Sequence, residues 1–155
     1  MKIEIITISK SKFSYIDEAQ KDYLKRLKAY ATVDIIVIKE TPIKKGGEEL
    51  IKDQEGKKMI EKLKEGYTKI ALDSTGQQYT SIEFSKWIEK LKDFDGGKIQ
   101  FIIGGPLGLS GEVFAHVDST ISFSKMTMTH QLIKVILLEQ VYRAFEILKG
   151  SGYHK

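Results

Sequence analysis

The stretch KIQFIIGGPLGLSG, residues 98–111, decides the fold: a strand-like run enters a loop of four glycines and one proline, Pro106. Working outward from it, strand signals recur at 2–8 (KIEIITI), 33–38 (VDIIVI), 68–73 (TKIALD) and 119–124 (STISFS). Helical spacing of apolar residues fills the intervals at about 13–28, 48–64, 81–92, 111–116 and 130–149. Gly66 is expected to close the second helix as a C-cap, and Gly76 to mark a turn after the third strand. The polar connector KETPIKKGG, residues 39–47, is the one segment expected to be flexible. Strands joined by crossovers too long for hairpins predict an α/β fold, a mainly parallel sheet with helices on both faces.

The chain has 155 residues, 41% of them hydrophobic and 30% charged, which suits a single globular domain over 1–155. No apolar run is long enough to span a bilayer, and MKIEIITISKSK lacks the pattern of a secretory signal, so no membrane association and a cytoplasmic location are expected. There is no cysteine, and the three histidines, His116, His130 and His154, are dispersed, so no metal site is expected. The net charge of +4 is uneven: residues 1–64 carry 15 Lys+Arg against 11 Asp+Glu, and residues 65–155 carry 10 against 10. That basic first part is compatible with an acidic partner such as RNA, or is simply a solvated face.

In parallel α/β sheets, ligands bind beyond the carboxyl ends of the strands. Three loops leave that edge: LDSTGQQ (72–78), GGPLGLSG (104–111) and SKMTMTHQ (124–131). The glycine loop is not a phosphate cradle, because Pro106 removes a backbone donor and no lysine follows. Its glycine spacing also misses the dinucleotide fingerprint, and its strand comes late in the chain. Two readings remain: close backbone approach to a flat, uncharged group such as adenine, or a tight turn and nothing more. The last helix, HQLIKVILLEQVYRAFEIL, carries apolar residues around nearly its whole circumference. It must be covered on two sides, either by a second copy in a homodimer or by the chain itself.

Taken together, IIGGPLGLS, SFSKMTMTHQLIKVILLEQVYRAF and the terminal GYHK closely resemble the small SPOUT-class methyltransferases that modify N3 of a pseudouridine in 23S ribosomal RNA, the RlmH family. The resemblance runs over essentially the full chain. It implies an α/β knot, in which the C-terminal segment threads a loop to form a deep trefoil, one of the rare exceptions to unknotted connectivity. It also implies S-adenosyl-L-methionine as cofactor, 23S rRNA within the assembled ribosome as partner, and a homodimer through the last helix.

Matching the motifs by position, the resemblance assigns cofactor contacts to Leu72, to Gly104, and to Phe123, Ser124, Lys125, Met126, Thr127 and Met128. His154 is the candidate acceptor for the N3 proton, although a penultimate histidine is otherwise most often part of a frayed end. Tyr153 is the candidate for stacking on a base, and Lys155 for contacting RNA phosphate. Arg143 is expected to meet an RNA phosphate or the cofactor carboxylate, or to form a dimer salt bridge. A non-catalytic knotted protein binding S-adenosylmethionine and RNA is the alternative, and the complete tail argues against it. A flavodoxin-like or dehydrogenase module lacks the required phosphate or flavin signals.

Overall fold

The structure, a computed structural model, describes residues 1–8, 13–42, 47–94 and 96–153. Ten elements follow one another as β1 (Lys2–Ile8), α1 (Ser14–Leu27), β2 (Thr32–Ile38), α2 (Glu48–Ile60), β3 (Thr68–Gln78), α3 (Ser81–Phe94), β4 (Lys98–Ile103), α4 (Gly111–Phe114), β5 (Ser119–Ser122) and α5 (His130–Leu148). The five strands form one sheet in the order β2-β1-β4-β3-β5, and every pairing is parallel.

Two of the three inner strands, β1 and β4, explain why the sheet is covered on both faces. Residues 3–8 and 99–103 are all buried, so successive side chains pointing to opposite faces must both be removed from water. Ile3, Ile5 and Phe101 face a layer made by α1, α3 and α5, with Phe84, Ile88, Leu137 and Val141 packed on them. Ile6, Ile8 and Ile102 face the opposite layer, where Met59 of α2 and Val113 of α4 close the core.

Helix α5 lies between α1 and α3. Its residues Leu137, Leu138, Val141, Ala144 and Phe145 are buried within the chain, which accounts for much of the apolar circumference without a second copy. Asp17 acts on Lys134, Tyr23 packs near Tyr142 at 6.3 Å and Tyr30 stacks on Phe145 at 5.1 Å, so α1 and α5 run in the same direction. Lys134 itself is 2% exposed, and burial pulls its ammonium below the ordinary lysine value against the attraction of Asp17. Leu132 remains 44% exposed at the start of α5, and Phe13 and Tyr15 are exposed at the start of α1.

Three boundaries differ from expectation, each for a local reason. Helix α2 ends at Ile60 rather than near Lys64, and Glu61, not Gly66, is its C-cap. The chain leaves the helix early, so that the Lys64 N–H donates to Gln100 Oε1 at 2.9 Å and the Lys64 ammonium reaches Glu4 at 2.6 Å. Gly66 instead takes a positive φ of 71° in the following turn. Gly76 falls inside β3, which continues to Gln78 after a register break between Leu72 and Gln77. A Cβ at Gly76 would lie 2.5 Å from the carbonyl carbon of Ile121, so only glycine lets the strand return against β5. Of the connector 39–47, residues 43–46 fall outside the described residues; Thr41 is held by Glu55, whose Oε1 accepts its N–H at 3.0 Å.

Candidate active site

The carboxyl ends of β3, β4 and β5 open into a cavity of about 320 Å³. Its walls come from the three loops expected at this edge, joined by His130 and Ile133 from the first turn of α5. That volume lies at the small end of the range typical of ligand sites.

The glycine loop forms one wall as a tight turn. The Gly105 carbonyl accepts the Gly108 N–H at 3.0 Å, Pro106 and Leu107 occupy the corner, and Gly108 takes a φ of +80° that favours glycine. Gly104 is required by close approach: a Cβ there would lie 2.6 Å from the Gly108 carbonyl carbon. Behind the loop, Ser110 caps α4 by accepting the Val113 N–H at 3.4 Å. Helix α2 presses on the same segment, and a Cβ at Gly56 would meet the Ser110 hydroxyl at 2.2 Å.

The opposite wall, residues 122–128, is shaped by its own serines. The Ser122 hydroxyl donates to the Ser124 carbonyl at 2.8 Å, and the Met126 N–H donates to the Ser124 hydroxyl at 2.9 Å. These short-range bonds occupy the serine side chains and hold the main chain in irregular form. Thr129 then opens α5, its hydroxyl accepting the Leu132 N–H at 3.3 Å. Met126 is 78% exposed at the rim, an unusual position for a large apolar side chain unless something covers it.

Of the expected cofactor residues, Leu72, Gly104, Phe123, Ser124, Met126, Thr127 and Met128 all line the cavity. Lys125 lies in the same turn, exposed and outside the lining. Asp73 and Ile133 are among the lining residues outside the expected cofactor set. Asp73 is the residue directly after Leu72, and its acidic character next to a strand end was the available signal. Ile133 is an apolar residue one turn into α5, a position indistinguishable in sequence from core.

Arg143 and Tyr153 are brought together, but elsewhere. The Arg143 Nη2 and Nε donate to Glu139 Oε1 at 2.6 and 2.9 Å, and the guanidinium sits 4.8 Å from the Tyr153 ring centroid. The Tyr153 hydroxyl donates to the same Glu139 oxygen at 3.3 Å, and its ring meets Tyr142 edge-on at 5.1 Å. Burial first, then the Tyr23 hydroxyl and the Glu139 charge, push the Tyr153 phenol up to about 12. It therefore stays protonated at neutral pH and is no base. Arg143 already has an in-chain partner, so its charge is shared with any phosphate it meets. Ten residues of helix separate Ile133 from Arg143, about 15 Å at 1.5 Å per residue, so the tail cluster stands away from the cavity of its own chain. His154 and Lys155 lie outside the described residues.

Bare-backbone loops at the carboxyl edge of a parallel sheet, with a mixed apolar and hydroxyl lining and, among the described residues, no lysine or arginine in it, form a small-molecule site without the features of a polyphosphate cradle. Sequence comparison makes the class specific. The chain belongs to the SPOUT methyltransferase family, the profile described as "Predicted SPOUT methyltransferase" matching residues 1–154. It is 43% identical over 162 aligned positions to the ribosomal RNA large subunit methyltransferase H of Bacillus thuringiensis strain Al Hakam, with both chains covered completely. The proteins of the same name from Bacillus cereus strain B4264 and Bacillus anthracis match equally, again over both full lengths. No helix among the described residues is long and apolar enough to cross a membrane, and no three His, Cys, Asp or Glu side chains among them gather as a metal-binding group.

Proposed function

We propose that the protein methylates 23S ribosomal RNA at N3 of a pseudouridine, using S-adenosylmethionine and acting on the assembled ribosome. The reading is carried by the cavity at the carboxyl ends of β3, β4 and β5, in a chain similar from end to end to ribosomal RNA large subunit methyltransferase H. The donor set suits the cofactor: main-chain groups of the glycine loop and of 122–128 for an adenine edge, Leu72, Ile121 and Ile133 for apolar contact, and, among the described residues, no lysine or arginine in the lining to repel a sulfonium. The C-terminal threading implied by the family belongs to the same proposal, as does a cytoplasmic location, where ribosomes are reached.

When bound, S-adenosylmethionine supplies an activated methyl group. The chain's part is to orient and to exclude water. Leu72, Gly104, Phe123, Ser124, Met126, Thr127 and Met128 hold the cofactor, with Lys125 at the rim. The N3 proton of the substrate has to leave, and His154 is the group proposed to accept it, an effect of about 10² to 10⁴ in rate for a well-placed base. Tyr153, kept neutral, serves as a stacking surface, and Arg143 orients it from beneath while offering residual positive charge to RNA.

Arg143, with Tyr153 packed on it, stands about 15 Å along α5 from the cavity of its own chain, so one chain does not bring this pair to the cofactor. A homodimer pairing two α5 helices antiparallel resolves the distance, since it sets the tail end of one helix beside the cavity end of the other. The exposed Leu132, Phe13 and Tyr15 provide apolar surface for such an interface.

Isothermal calorimetry tests the site: S-adenosylmethionine or S-adenosylhomocysteine binds without added metal, and failure of both to bind removes the assignment. Deleting Tyr153–Lys155 tests the tail. Methyl transfer to ribosomes falls to background while calorimetry and light scattering show cofactor binding and dimer unchanged; full activity in the truncated protein would refute the role of His154 and Tyr153.

A further inference from the structure

Among the described residues, Asp73 is the one acidic side chain in the cavity lining, and no lysine or arginine joins it there. Its position is fixed by its own turn: Oδ1 accepts the Thr75 N–H at 3.0 Å and the Thr75 hydroxyl at 2.7 Å. Such a turn orients a carboxylate without using it up. Among the described residues, Oδ2 has no hydrogen-bond partner. Asp73 is partly buried, directly beside Leu72 at the point where β3 breaks register, and its turn hydrogen bonds are open to solvent. The other polar side chains of the lining are the hydroxyls of Ser74, Ser122, Ser124 and Thr127 and the His130 ring, so a carboxylate in this wall selects for a positive ligand.

We propose that Asp73 is the specificity residue by which the site distinguishes S-adenosylmethionine from its demethylated product. The two molecules share adenine, ribose and amino-acid groups and differ in one methyl and one positive charge, at sulfur. A carboxylate in the wall favours the sulfonium over the neutral thioether, so methyl transfer itself weakens the hold on the product. Backbone contacts to adenine cannot do this, because they are the same before and after reaction. The inference rests on reading the cavity as the S-adenosylmethionine site, and its test separates the two.

The test is calorimetry on the full-length protein and on Asp73→Asn, with S-adenosylmethionine, S-adenosylhomocysteine and sinefungin, whose amine carries a positive charge in place of the sulfonium. Asparagine retains the oxygen that accepts from Thr75, so the turn survives, and an unchanged melting temperature of the ligand-free variant checks it. The expected result is an affinity loss of about tenfold for S-adenosylmethionine and for sinefungin, the size of one partly screened charge contact, and of less than about twofold for the thioether product. Raising the salt concentration narrows the gap between sulfonium and thioether in the unaltered protein and leaves the variant flat. Equal losses for all three ligands would overturn the proposal and make Asp73 a contact to the shared adenosine or amino-acid part. No loss for any of them would overturn it too. If neither S-adenosylmethionine nor its product binds the unaltered protein, the cavity assignment itself fails.

Discussion

The two edges of the one sheet are built in opposite ways. At the amino edge, the buried Glu4 carboxylate and the neighbouring Gln100 are fully engaged: Lys64 Nζ lies 2.6 Å from Glu4 Oε1, the Gln100 amide donates to Glu4 Oε2 at 2.9 Å, and the Lys62 carbonyl accepts from the same amide at 2.9 Å. At the carboxyl edge, the Asp73 carboxylate keeps one oxygen without a partner among the described residues, glycines replace side chains and methionines stand exposed. Polar groups that satisfy one another stabilise a fold, whereas groups left open in a concave wall are available to a ligand. The amino edge holds the sheet together, and the carboxyl edge is where chemistry is proposed.

Substitutions can break that contrast from either side. The largest effect is expected at the open edge, where Gly104→Ala forces a methyl group into the Gly108 main chain. Cofactor affinity should fall by more than about 100-fold in calorimetry, the scale of a displaced binding wall. Gly111→Ala, with nothing within 4 Å of its Cβ and no positive φ, is the control and should bind normally. Equal behaviour of the two alanine variants would mean that the loop does not form the wall.

At the closed edge, Glu4→Ala leaves Lys64 and Gln100 without their partner and should cost about 3 kcal/mol in urea unfolding, with cofactor binding by the folded fraction unaltered. Burial alone would raise the Glu4 carboxyl, but the hydrogen bonds and charges of Lys64, Gln100 and Lys2 outweigh it and leave Glu4 below the ordinary glutamate range. Its contribution to stability is therefore complete above the unfolded-chain value of about 4.3 and is lost as pH falls through the lower folded-state value. Acid unfolding of Glu4→Ala should be correspondingly less steep. A variant as stable as the parent would contradict the closed-edge account.

The smallest effect is expected for Tyr153→Phe. The ring stays over Arg143 and against Tyr142, and only the phenol's hydrogen bonds, to Glu139 at 3.3 Å and with Tyr23, are lost. Methyl transfer should stay within about threefold of the parent, because Arg143 continues to hold the Glu139 carboxylate and the aromatic packing is kept. The pH–rate profile should keep its shape, because a phenol raised to about 12 does not titrate near neutrality. Loss of a titrating limb in this variant would make Tyr153 a proton carrier.

Much of this was legible in the residues themselves. Strand-like runs such as KIQFII, joined through helical segments by crossovers too long for hairpins, predicted a mainly parallel sheet, and the edge rule then named the three loops that do form the cavity. What stayed hidden was set by contacts distant in sequence. The early end of α2 depends on Gln100 and Glu4, which lie 36 and 60 residues from Lys64, and no local pattern encodes that. Gly76 read as a turn because its need for space comes from the main chain of Ile121, on a strand far along the chain. The apolar circumference of α5 pointed to a second copy, yet α1, α3 and the sheet cover most of it, since helical periodicity cannot tell which neighbour does the covering. The tail motif was plain in sequence, but its distance from the cavity of its own chain was not.

The most direct test of the whole account is mass mapping of 23S rRNA fragments after assembled ribosomes carrying unmethylated pseudouridine are incubated with the protein and S-adenosylmethionine. The account predicts one added methyl group on a single pseudouridine-containing fragment, with fragmentation assigning it to N3. Ribosomes left unmethylated under conditions where the cofactor binds, or a methyl group on any other nucleotide, would contradict it.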